Sequence, residues 1–312
     1  MEISEIDPIL LDQASRLGLH ISSHDPMIEN RITINQQTIH YIDWGNPQKP
    51  TILFLHGWGQ TGHIWDFLSL SLRDRYHCVA LDLRGHGDSS WAINGDYSIQ
   101  AHIRDLTGMF RIFGRKPMIL IGLSLGARTS YVFAAQYPNL VERLIIVDSG
   151  PETSETSISG IRSFMELPAE LDTFDEFVER VHQYNHLRPI DQVQASLKHN
   201  LMRLANGKWT WKYDPVLRSG NPPEMGISEE FLWQSLKRIQ CPTLVVRGQN
   251  SDILTHKTAM RMLSSIPNAS LTAIEKAGHR VPGDNPLSFE TAIHKFLTTN
   301  GYLGSATKHP NH

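Results

Sequence analysis

The chain has 312 residues, 40 % of them hydrophobic, which is enough for one large α/β domain with an insertion or for two modest domains. Lysine and arginine number 29 against 32 aspartates and glutamates, without any block of like charge, so neither nucleic acid nor an anionic membrane is indicated as a partner. The two cysteines, Cys78 and Cys241, lack Cys-x-x-Cys spacing, which gives a disulfide framework or a zinc site no support and leaves reduced, structural thiols as the reading.

The N-terminus, "MEISEIDPILLDQ", is acidic where a signal peptide needs positive charge. No later segment has the roughly 18 consecutive apolar residues of a membrane helix, so a soluble, cytoplasmic protein is expected. Asp7 and Pro8 predict the cap and first position of a short helix in a 1–30 extension, with Ile9, Leu10 and Leu17 packing on the body. "RITINQQTIHYIDWG" (31–45) alternates around Asn35-Gln36-Gln37 and predicts an antiparallel hairpin at the leading edge of a sheet. Six apolar runs follow, "TILFLH" (51–56), "HCVALDL" (77–83), "PMILIG" (117–122), "RLIIVD" (143–148), "TLVVRG" (243–248) and "SLTAIE" (270–275). Such near-continuous hydrophobicity belongs to strands covered on both faces, which predicts an α/β fold with a mostly parallel sheet flanked by helices.

The strand rhythm stops after Asp148 and resumes at Thr243, with three segments of helical periodicity between. The expected organisation is a core of 31–148 and 242–300, a helical cap of 149–241, and a loose tail at 301–312.

Chemistry concentrates at strand ends. In "LIGLSLGAR" the apolar strand stops in Gly-Leu-Ser-Leu-Gly and turns directly into a helix, which forces Ser124 into a strained conformation with its side chain clear of the sheet. Gly122 and Gly126 are required because strand and helix approach too closely there for side chains. The Leu125 N–H and the helix dipole would stabilise negative charge developing beside Ser124. "HGWG" (56–59) ends the first parallel strand, and its glycine turn can aim the Trp58 N–H at the same point. Asp252 in "RGQNSD" and His279 in "AGHRVPGDNP" follow the last two strands. In the order Ser, Asp, His they suit one mechanism: His279 takes the proton of Ser124 as it attacks a carbonyl, while Asp252 holds the other ring nitrogen.

With "HGWG", "DLRGHGDS", "GLSLGA", "RGQNSD" and "AGHRVPGDNP" each in its usual order, the chain over roughly residues 30–300 resembles the α/β-hydrolase fold serine hydrolases. The resemblance implies Ser124, Asp252 and His279 as the triad, Trp58 and Leu125 as the oxyanion hole, a small acyl substrate, and no cofactor. A serine at the elbow argues against dehalogenases and epoxide hydrolases. Esterase or lactonase activity is the first expectation, with a carbon–carbon bond hydrolase of a vinylogous keto acid and a ligand-binding protein on the same scaffold as alternatives.

Several residues carry two readings. Asp148 is the alternative acid, and Asp252 is preferred because its loop immediately precedes the strand leading to His279. Asp284 is expected to cap the final helix. Arg84, His86 and Asp88 read as a loop bonded to backbone and to one another, not as a metal or catalytic group. His63 is a candidate for the pocket wall or for a surface helix start. Arg128 either meets an acidic substrate group or, as preferred, pairs with a carboxylate beneath the cap. His182, His186 and His199 lack a HExxH pattern, so no metal is assigned. Phe164, Phe174, Phe177, Trp209, Trp211, Tyr213, Phe231 and Trp233 are expected mostly in the cap core, with some facing an apolar cleft.

Overall fold

The computed structural model describes residues 2–113, 116–153, 155–184, 188–218 and 227–298; His186 and the 301–312 tail lie outside them. The chain opens with strand β1 (Glu2–Ser4) and helix α1 (Pro8–Arg16). As expected, the Asp7 carboxylate caps α1 by accepting from Ile9 N–H at 2.8 Å, with Pro8 at the first position. Leu10, Leu11 and Leu17 pack on the body, whereas Ile9 stays 43 % exposed because it lies off their face.

The hairpin of β2 (Met27–Ile34) and β3 (Gln37–Asp43) turns on Asn35 and Gln36 alone. Both have positive φ, 49° and 69°, the two-residue geometry whose twist matches the strands. The parallel strands are β4 (Thr51–Leu55), β5 (His77–Leu81), β6 (Met118–Leu123), β7 (Val141–Val147), β11 (Thr243–Gly248) and β12 (Ala269–Ile274). All join one nine-stranded sheet in the order β1-β2-β3-β5-β4-β6-β7-β11-β12. Helices α2 (Asp66–Leu72), α3 (Ile99–Phe113), α4 (Leu125–Gln136), α9 (His256–Ser265), α10 (Val281–Asp284) and α11 (Pro286–Thr298) accompany them. Alternate residues explain the continuous apolar runs: Ile52 and Phe54 enter the core on one face of the sheet, Leu53 and Leu55 the core on the other.

This strand order positions the site. From β4 the chain steps outward to β5, then crosses back to β6 on the other side of β4, so β4 and β6 leave their C-terminal ends side by side at a topological switch point. The ends of β6, β7 and β11 are level with one another, Leu123 pairing with Val147 and Val147 with Val246.

Between β7 and β11 lie α5 (Glu155–Glu166), β8 (Glu170–Leu171), α6 (Phe174–Tyr184), α7 (Ile190–Asn200), β9 (Leu201–Arg203), β10 (Trp209–Trp211) and α8 (Glu229–Lys237). The short strands pair as an antiparallel β8-β10-β9 sheet, which helical periodicity did not signal because each is only two or three residues long. Phe177, Val178, Val181, Val193, Leu197 and Trp211 form the apolar centre of this layer. Helix α8 is different: Leu232, Trp233 and Leu236 are buried in the same core as Tyr131 of α4 and the central strands. Phe231, on the same helix, is 37 % exposed.

Polar contacts tie the layer to the body. Gly87 N–H donates to Lys212 O at 2.8 Å, and Asp214 N–H to Gly85 O at 2.8 Å. Lys212 pairs with Asp88 at 2.6 Å, and the Tyr97 hydroxyl donates to Asp214. At the other end, Gln13 and Arg16 of α1 reach Asp191 at the start of α7. Cys78 and Cys241 are buried and unpaired as thiols. No described helix is long and apolar enough to cross a membrane.

Candidate active site

Ser124 follows β6 and precedes α4 at φ 55°, ψ −113°, a conformation that a non-glycine residue adopts only when its surroundings enforce it. Its N–H bonds Val147 O at 3.1 Å and its carbonyl accepts from Arg128 N–H at 3.0 Å. The flanking glycines are obligatory: a Cβ on Gly122 would stand 2.4 Å from Gly126 O, and one on Gly126 would stand 2.2 Å from Leu55 O.

After β4, the His56 ring fixes the loop beside this serine. Leu83 N–H donates to His56 Nε2 at 2.9 Å, so His56 is neutral with its proton on Nδ1, which donates to Gly57 O at 2.7 Å. Burial pulls the His56 pKa down, in keeping with that tautomer. Gln60, unremarked in the sequence, accepts from Gly57 N–H at 2.8 Å. The N–H groups of Trp58 and Leu125 have no hydrogen-bond partner among the described residues. The Trp58 ring packs on Tyr213, with centroids 5.3 Å apart.

The carboxylate bonded to His279 is Asp148, with His279 Nδ1 2.8 Å from Asp148 Oδ2. This corrects the preference for Asp252. Asp148 directly follows β7, next to β6 in the sheet, and is fully buried at φ 46°. Gly248 N–H donates to its Oδ1 at 3.0 Å, and the Ser251 hydroxyl donates to Oδ2. The loop after β11 therefore supplies donors that hold the acid of the neighbouring strand. Asp252, one residue further, is exposed and lines the cleft near Tyr184. In "VDSG" the alternative acid, Asp148, is a polar residue closing an apolar central strand, of a type that tolerates positive φ.

Ser124 and His279 both line one cleft of about 450 Å³, within the size range of small-molecule sites. Its floor includes Gly57–Gln60, and Phe164, Val181, Tyr184, Trp211 and Tyr213 form its roof. Of the predicted aromatic set, Phe164, Trp211 and Tyr213 face this space. Phe177 stays in the centre of the cap layer, Phe174 packs on Trp209, and Trp233 donates to Glu152 beneath Arg261.

Other candidate residues are held by partners of their own. Among the described residues Arg128 bonds Gly150 O at 3.0 Å and Thr153 Oγ1 at 2.6 Å, a carbonyl and a hydroxyl in place of the expected carboxylate. His63 lines a smaller neighbouring crevice and bonds Asp66 at 2.9 Å. Asp284 ends α10 and accepts from Gly278 N–H at 2.9 Å, while Asn285 caps α11 through Ser288 N–H. Arg84 forms a two-pronged pair with Asp105, and Asp88 reaches out to Lys212, so this loop binds distant partners more than itself. His86 is buried, its pKa pulled down to about 3 by burial and by His56, and it bonds Arg84 O.

Arg280 is the residue sequence reasoning passed over. It follows His279 immediately and lines the cleft, and its guanidinium has no hydrogen-bond partner among the described residues. Burial disfavours the charge on Arg280 and on Arg188, the Arg280 guanidinium adds to the effect at Arg188, and the Asp284 carboxylate opposes it at both.

The chain matches the alpha/beta hydrolase fold family over residues 50–286, from just before β4 to the first residue of α11. Esterase Rv0045c of Mycobacterium tuberculosis is 28 % identical over 298 residues, 93 % of this chain and 95 % of the relative. A solved structure of that esterase, reported with its transition metal inhibition, superposes at a TM-score of 0.76 and 26 % identity over 93 % and 97 % of the two chains. The 2-(acetamidomethylene)succinate hydrolase of Mesorhizobium japonicum is 25 % identical over 277 residues, 88 % of this chain and 96 % of the relative. With the strand order, the strained serine turn and these matches in agreement, the chain belongs to the α/β-hydrolase fold family and is a hydrolase.

Proposed function

We propose that this hydrolase cleaves a small carboxylic ester or related acyl compound through a covalent acyl-serine. The observation that carries the reading is the 2.8 Å contact from His279 Nδ1 to buried Asp148, in one cleft with Ser124 on its strained turn. With its proton on Nδ1 donated to Asp148, His279 presents Nε2 as the base that accepts the Ser124 proton. Attack on the carbonyl carbon leaves an oxyanion, which the Trp58 and Leu125 N–H groups and the N-terminus of α4 stabilise. His279 then protonates the leaving alcohol, and water attacks the acyl-serine by the same route to release the acid. Ser124→Ala is expected to lower kcat on p-nitrophenyl esters by more than about 10³-fold with an unchanged fold. Activity near wild type in that variant would remove the serine from the mechanism.

A second reading concerns the substrate. The Asp284 carboxylate acts electrostatically on both the Arg188 and the Arg280 guanidinium, and Arg280, beside His279, is the one that lines the cleft, with no hydrogen bond from its guanidinium among the described residues. This favours an acyl compound bearing its own carboxylate, met by Arg280 and not by Arg128, for which that role was the less preferred of two readings. The Mesorhizobium relative, named for a succinate derivative, accords with it. Between a neutral ester and the same ester ending in a carboxylate, kcat/KM should favour the anionic one. Arg280→Gln should erase the preference, a change of about tenfold to a hundredfold for a charged hydrogen bond of ~1.5–3 kcal/mol. Equal discrimination in both proteins would refute the role.

A further inference from the structure

Outside the cleft, His63, Asp66 and His199 meet where the cap layer rests on the body. His63 lies in the 3-10 turn Gly62–Trp65, Asp66 opens α2, and His199 comes from the last turn of α7. One ring nitrogen from each histidine and one carboxylate oxygen lie within 4.8 Å of one another. The two imidazoles stack with centroids 3.6 Å apart and planes 23° from parallel, and His63 Nδ1 stands 2.9 Å from Asp66 Oδ2. Asp66 is only 8 % exposed, yet its other oxygen, Oδ1, is buried without a hydrogen-bond partner. A buried carboxylate oxygen left unpaired is costly, and a cation is the group that would satisfy it.

We propose that His63, Asp66 and His199 form a binding site for a divalent transition metal of the Zn²⁺ class, which ties α7 of the cap layer to the segment following the Gly57–Gln60 loop. Two imidazole nitrogens and one carboxylate oxygen suit Zn²⁺, Co²⁺ or Ni²⁺, while Mg²⁺ and Ca²⁺ favour all-oxygen sets. Ligand bonds of about 2.0–2.2 Å place tetrahedral donors roughly 3.3 Å apart, against the 4.8 Å within which these three donors already lie. The charge around it is favourable: Glu29 and Asp82 act on His63, and Lys212, the cation that acts on His199, is already paired with Asp88. The other cluster of this kind among the described residues, Glu29, His40 and Asp88, is committed elsewhere, since His40 bonds Asp82 and Asp88 bonds Lys212. The site escapes sequence patterns because its third ligand sits in a different layer from the first two.

The test is calorimetric titration of the full chain with ZnCl₂, alongside thermal unfolding, and it does not depend on turnover. The expected result is one Zn²⁺ per chain, a rise in Tm with Zn²⁺ but not with Mg²⁺, and at least a tenfold loss of affinity in His199→Gln. His24→Ala and His256→Ala, which remove exposed histidines, should bind as wild type does. The half-buried His63→Gln serves as a second variant, and bound Co²⁺ should show the visible bands of a tetrahedral site in wild type alone. No saturable Zn²⁺ binding, binding unchanged by His199→Gln and His63→Gln, or binding lost in His279→Ala would overturn the proposal.

Discussion

On the body side of the cleft, Ser124, Asp148 and the Gly57–Gln60 loop each follow a strand of one sheet without an intervening residue or nearly so, and every group that orients them is itself held. His56 is pinned at both ring nitrogens, Gly57 by Gln60, and Asp148 by Gly248, Ser251 and His279. On the cap side, Phe164, Tyr184, Trp211 and Tyr213 stand on short helices and a three-stranded sheet, packed by apolar contact and fastened through Gly85–Asp88 and Asp191. Reacting groups need positions fixed within a fraction of an ångström, which a large buried sheet supplies. A roof that selects substrate needs shape, which a small apolar layer can vary at little cost to the floor.

The largest effect should come from the floor. Asp148→Asn keeps the shape but removes the acceptor that sets the His279 tautomer, and kcat should fall by about 10³–10⁴-fold. Asp252→Asn, exposed at the rim, should cost less than about tenfold in kcat. The reverse ranking in steady-state kinetics would move the acid to Asp252. In the roof, Phe177→Ala should cost about 3–5 kcal/mol of packing within the cap layer. Hydrogen exchange should then rise in α6 and α7 while β6 and β7 keep their protection; a uniform rise would mean that floor and roof are one cooperative unit.

A third, smaller effect is set by pH. His56, His86 and His102 are fully buried beside the floor with pKa values pulled down by burial, His86 to about 3 and His102 well below its ordinary value. Their folded forms stay neutral where the unfolded chain takes up protons, so the stability they contribute is intact above about pH 6.5 and declines as pH falls toward 3. Each can cost up to about 1.4 kcal/mol per pH unit in that window. Urea midpoints that do not move between pH 7 and 5 would contradict this. His40 works at the other end: Asp82 and Glu29 outweigh its burial and raise its pKa to about 9, so its contribution is complete below about pH 6.5 and fades as pH climbs through 9. The smallest expected effect is that of Lys212→Met, which cuts the part-exposed pair to Asp88 and should cost at most about 1 kcal/mol.

The floor was legible because its signals are local. Apolar runs mark strands buried on both faces, and Gly122 and Gly126 mark a close approach that the backbone distances bear out. The choice between Asp148 and Asp252 was not local. It turns on β7 lying between β6 and β11, so that Ser251 and Gly248 reach across to Asp148, a fact of strand order that spacing along the chain does not carry. The roof was less legible still. Two- and three-residue strands have no period to detect, α8 has the same amphipathic pattern whether it packs on cap or core, and the meeting of His63 with His199 depends on how two layers dock.

The most direct test is intact mass after incubation with a fluorophosphonate, followed by peptide mapping. The account predicts a single adduct on the peptide carrying Ser124, absent in Ser124→Ala and strongly slowed in Asp148→Asn. A folded protein that takes no adduct, or takes it on another residue, would contradict an activated serine at this turn.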